Sequence, residues 1–94
     1  MKPRSSIKVV RLRDGVVVNP MAGGAVVVDP TGGAYFQVNA VGYEILSRLL
    51  ESVPETELVK TLQLKFGLSR ERAQKDVQDF LQQLRSGAML EENV

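Results

Sequence analysis

The stretch AYFQVNAVGYEILSRLL, residues 34–50, decides the fold because its character changes at Asn39. Before it, AYFQV (34–38) has the aromatic and β-branched make-up of a strand, with Tyr35 and Phe36 on opposite faces. After it, Val41, Ile45, Leu46, Leu49 and Leu50 recur at helical spacing. Asn39 is a good N-cap, since its side-chain oxygen can accept a free backbone N–H of the first turn. Residues 7–38 are rich in Val and Gly, residues 39–94 in Leu, Gln, Glu, Lys and Arg. Strands followed by helices read as α+β. The expected plan is winged-helix-like: an N-terminal three-stranded antiparallel sheet within 7–38, then three helices within 40–87, as a single domain over 1–94.

Upstream of residue 34, PTGG (30–33) is a turn that closes a hairpin between AVVVD (25–29) and AYFQV. NPMAGG (19–24) reads as a loop, VVV (16–18) as strand and Asp14-Gly15 as a tight turn. IKVVRLR (7–13) is a further strand, with Ile7, Val9 and Leu12 on its inner face. The glycine pairs lack phosphate-cradle spacing, and Gly32-Gly33 leads into a strand rather than a helix. Downstream, Val53-Pro54 ends or follows the first helix. Glu55, Thr56 and Glu57 open the second, Leu58, Val59, Leu62 and Phe66 make its buried stripe, and Gly67 stops it. Ser69 caps the third, whose apolar face is Ala73, Val77, Phe80, Leu81 and Leu84. Arg85 suits its negative end and Gly87 its stop. Ala88, Met89 and Leu90 either return as a short strand or pack on the core, and the acidic tail EENV is expected to fray.

The 94 residues are 44% apolar, ordinary for a folded domain. No apolar run approaches the roughly 20 residues of a membrane-crossing helix, and the first residues lack a signal peptide's apolar block. A cytoplasmic protein is expected. There is no Cys and no His, which excludes disulfides, thiolate zinc sites and any Ser-His-Asp triad. The inventory favours a binding module, with no metal, no cofactor and no catalytic residues. Lys2, Arg4, Lys8, Arg11 and Arg13 are unbalanced by any acid before residue 14. They form either a basic arm for an acidic partner or, the favoured reading, the solvent side of an edge strand.

The segment VNAVGYEIL (38–46) resembles the LN-x-x-G-x-x-I-W pattern of PqqD-like proteins. Thr56, Leu58, Val59 and Phe66 continue the likeness. Asp76-Val77, Phe80-Leu81, Leu84 and Gly87-Ala88-Met89-Leu90 resemble that family's DV-x-x-F-L-x-x-L-x-x-x-G-L-L. The likeness covers about residues 25–90. Val38 stands for the usual Leu and Leu46 for the frequent Trp. The long Val/Gly amino-terminal half is similar to stand-alone members that serve lasso peptide pathways. The resemblance implies a non-catalytic element that binds the leader segment of a ribosomally made precursor peptide. The leader would add as a strand beside the third strand, in a groove whose other wall is the third helix. A leader peptidase and a cyclase would then act on the peptide.

Strand addition needs a free edge, and Ala34, Tyr35, Phe36 and Gln37 belong to a strand with no Pro, Lys or Arg to guard it. Either that edge is free or a helix covers it. Phe36 is the better core residue and Tyr35 the better surface anchor. On the third helix Arg72, Asp76, Asp79 and Gln83 lie along one flank above Phe80, placed to meet polar groups of a leader or simply to be solvated. The alternative function, a winged-helix DNA-binding protein, fits poorly. Net charge is only +1, and Asp76 and Asp79 would repel phosphate. A small enzyme fits no better, because Glu55/Glu57 and Glu91/Glu92 lie at a helix start and in a tail.

Overall fold

The computed structural model describes residues 8–93, so Ile7, Lys2 and Arg4 lie outside the described residues. In chain order the elements are β1 (Val9–Leu12), β2 (Val17–Met21), β3 (Gly24–Asp29), β4 (Ala34–Asn39), α1 (Ala40–Arg48), β5 (Val53–Pro54), α2 (Glu55–Phe66), α3 (Arg70–Ser86) and β6 (Leu90–Glu92). β2, β3 and β4 form one antiparallel sheet in that order. A second antiparallel sheet has the order β5-β1-β6. The α+β, winged-helix-like plan holds, with the strands divided between two small sheets.

That division corrects the reading of the N-terminal segment. The Asp14-Gly15 turn closes with the Val16 N–H on the Arg13 carbonyl at 3.2 Å, yet it does not pair β1 with β2. Instead the Leu12 N–H reaches the Leu49 carbonyl and the Arg13 N–H the Met89 carbonyl, both at 2.9 Å. β1 is therefore a central strand, and its cations do not guard an edge. Val10 and Leu12 are buried whereas Val9 is only half-buried, so the inner face is the opposite alternation from the one expected for Val9. Two further segments taken as irregular are strands. Asn19, Pro20 and Met21 extend β2, where Pro20 is tolerated because β2 is an edge. Glu91 and Glu92 of the expected frayed tail are pinned in β6 against β1.

α1 and α3 start at the N-caps expected of Asn39 and Ser69, and α2 stops at Gly67. The Gly42 N–H donates to Asn39 Oδ1 at 2.9 Å, and the Arg72 N–H to Ser69 Oγ at 3.1 Å. Gly67 ends α2 in a left-handed conformation, φ 66°. α3 exits differently. Gly87 stays at φ −90°, and Ala88 takes the left-handed turn at φ 58°. The Met89 N–H then reaches the Leu84 carbonyl at 2.9 Å and the Ala88 N–H the Arg85 carbonyl at 3.0 Å, closing a Schellman motif.

The core gathers Val10, Leu12, Val27, Ile45, Leu46, Leu49, Leu58, Leu62, Val77, Leu81, Leu84 and Met89. Leu50 and Phe66, expected inside, face outward, Leu50 at 64% exposure. Leu50 lies just beyond the last turn of α1, where the helical phase no longer aims it inward. Among the described residues the one buried charged residue is Asp29. Arg13 bonds to its carboxylate and also donates Nε to the Ala88 carbonyl at 2.6 Å, joining the β2-β3-β4 sheet to the exit of α3.

Candidate functional site

β4 pairs with β3 on one side only. Among the described residues it is the one edge strand with neither proline nor a charged residue. β2 holds Pro20, β5 holds Pro54 and β6 holds Glu91 and Glu92. A strand edge presents N–H and C=O groups from alternate residues, a template for an added strand. Along β4 Ala34, Phe36 and Val38 are half-buried toward the core, and Tyr35, Gln37 and Asn39 are exposed. Tyr35 is 68% exposed, so its ring is offered to solvent as expected, and Phe36 packs on the core.

Where β4 runs into α1, a groove of about 320 Å³ opens between α1 and α3. Val41, Gly42, Ile45, Leu68 and Phe80 give it an apolar floor; Asn39, Arg72, Asp76, Asp79 and Gln83 give it a polar rim. An apolar floor with a few polar groups at the margin suits a side chain that buries its body and keeps its tip wet. All five α3 residues expected at the site line this groove. Ala34, Tyr35, Phe36 and Gln37 do not; they lie on the edge strand leading into it. Asn39, Val41, Gly42, Ile45 and Leu68 were missed as site residues. Asn39 and Gly42 carried a signal, because a glycine inside a helical pattern opposes helix propensity and marks a close approach.

The rim charges are internally paired. Arg72 Nε lies 3.1 Å from Asp76 Oδ1, and Lys75 Nζ 2.8 Å from Asp79 Oδ2, each one turn apart on α3. The hydrogen bond to Asp79, and then its charge, raises the Lys75 ammonium above its ordinary pKa. Such exposed pairs hold weakly and can exchange for a partner's groups. The same acids count against a phosphate backbone here. Nor do Arg11 and Arg13 form an open basic arm. Arg11 meets Asp14 at 3.0 Å and Arg13 is committed to Asp29. Among the described residues no helix is long and apolar enough to cross a membrane.

The pattern of the family described as coenzyme PQQ synthesis protein D (PqqD) matches residues 24–90. The fold is similar to that of TbiB1 in complex with the TbiA(beta) leader peptide, with TM-score 0.77 and 30% identity over 86% of this chain and 94% of that one. It is also similar to a lasso peptide synthetase B1 complexed with the leader peptide, with TM-score 0.74 and 26% identity over 87% of this chain and 96% of that one. No curated protein matches the chain.

Proposed function

The chain belongs to the PqqD family, and from that premise we propose that it binds the leader segment of a ribosomally synthesised precursor peptide in a lasso peptide pathway. The leader adds as a strand to the outer edge of β4 and lays one side chain into the groove between α1 and α3. Main-chain bonds along β4 supply affinity, and the groove supplies sequence choice. Tyr35, Asp76, Asp79, Phe80 and Gln83 are the side chains we assign to the leader, with Arg72 at the groove's end. The chain makes and breaks no bond. As a single recognition domain it holds the precursor in the cytoplasm for a leader peptidase and a cyclase.

The observation that carries this reading is the likeness, over nearly the whole of each partner chain, to two proteins solved with leader peptides. The unguarded β4 edge supports it independently. The DNA-binding alternative has no comparable support. Calorimetric titration with a synthetic leader, taken from the precursor gene beside this chain's own, tests it. Saturable one-to-one binding and an unchanged peptide mass are expected. No heat at saturating peptide, or an altered peptide mass, contradicts the reading.

A further inference from the structure

α1 carries a glycine in its first turn, against helix propensity, and the reason lies in the groove. Gly42 is buried, and its N–H is fixed by Asn39 Oδ1 at 2.9 Å. A Cβ at this position would lie 2.9 Å from Val38 Cβ and 3.0 Å from Phe80 Cε1. Neither the α1 backbone nor Val38 can easily retreat. The cap holds the first, and the second sits in β4, paired with the buried Ala25 of β3. The Phe80 ring is half-buried and, like Gly42, lines the groove, so it borders open space into which it can move.

We propose that Gly42 is a positioning residue that sets the depth of the groove: by lacking a Cβ it lets the Phe80 ring seat against the first turn of α1, clear of the volume a leader side chain fills. The assignment rests on the groove being the leader site. Adding a methyl at residue 42 moves the ring outward and shallows the floor. Ala favours the helix more than Gly does, which offsets part of the crowding and keeps such a variant folded. Selectivity for a bulky leader side chain is then set by a residue that need not touch the leader itself.

The test measures binding of a fluorescein-labelled synthetic leader peptide, from the precursor gene beside this chain's own, to wild type, Gly42→Ala, Phe80→Leu and the double variant. Gly42→Ala is expected to weaken binding about tenfold or more and, because the contact to Val38 is only partly relieved, to lower the melting midpoint by about 5–15 °C while staying folded at the temperature of the assay. In the Phe80→Leu background the same change should cost less than about threefold, because a shorter side chain leaves room for the methyl. Wild-type affinity for Gly42→Ala, or equal costs in the two backgrounds, overturns the proposal. If Gly42→Ala does not fold, the comparison is repeated with Val38→Ala present, which removes the strand-side contact and keeps the one to Phe80. Failure of the wild-type protein to bind the peptide sinks the leader-binding reading itself. Binding by wild type with purely additive variants sinks the Gly42 proposal alone.

Discussion

Arg13→Ala strands the one buried carboxylate among the described residues. Asp29 is 2% exposed. Its partners are the Arg13 guanidinium and the Thr31 N–H, the latter at 3.2 Å. Removing one member of a fully buried pair costs about 3–5 kcal/mol. The Arg13 side chain is 33% exposed, so water screens part of that, and a cost of about 2–3 kcal/mol is expected. The variant also removes a donor from the Ala88 carbonyl. For a domain of this size each kcal/mol lowers the melting midpoint by about 4–8 °C, so the shift should be about 10–20 °C. Thermal unfolding followed by circular dichroism reads it. Adding Asp29→Asn to Arg13→Ala removes the stranded charge and should recover about 1 kcal/mol. The consequence extends to the site, because the Asp29 carboxylate, through the Thr31 N–H, also holds the turn that delivers β4, a turn closed by the Gly33 N–H on the Asp29 backbone carbonyl at 2.7 Å. A midpoint for Arg13→Ala within about 3 °C of wild type would refute the view that this pair ties the sheet to the exit of α3.

Asp76→Ala and Asp79→Ala should each change stability by no more than about 0.5 kcal/mol, the scale of a one-turn ion pair on a helix. At least one of them, or Tyr35→Ala, should cost about 1.5–3 kcal/mol of leader affinity by calorimetry; wild-type affinity for all three places the groove wrongly. Arg85 holds the Glu92 carboxyl below its ordinary pKa, chiefly through the hydrogen bond at 2.8 Å. The pair's contribution is therefore full above the ordinary value of 4.5 and is lost as pH falls through the lower folded value. Urea unfolding should show Glu92→Gln less stable than wild type at neutral pH, by no more than about 1 kcal/mol, with the gap closing in acid. Ala88→Gly should raise stability by about 0.5–1 kcal/mol, because the left-handed turn that closes α3 costs alanine more than glycine loses in unfolded-chain entropy.

What was legible in the sequence was local. Asn39, Ser69 and Gly67 each act on backbone groups within a few residues, so the helix limits could be read from them. The pairing of β1 with β5 and β6 is set by contacts some forty to eighty residues away along the chain, and no short-range pattern marks it. Strand phase failed at Val9 for the same reason, since which face is inner depends on a sheet the sequence does not display. The α3 side of the site was readable because Arg72, Asp76, Asp79 and Gln83 fall on one helical stripe beside Phe80. The α1 side was not. Val41 and Ile45 look like ordinary core residues, and Leu68 lies in the connection between α2 and α3. These become a groove floor only when α1 and α3 come together.

The central claim is that a leader peptide adds to the outer edge of β4. Residue-resolved amide exchange of the isotope-labelled protein, with and without saturating synthetic leader, tests it most directly. Strand addition should slow exchange at alternate amides of residues 34–39, those turned away from β3, while amides already bonded to β3 change little. Protection confined to another surface, or none at saturation, would contradict it.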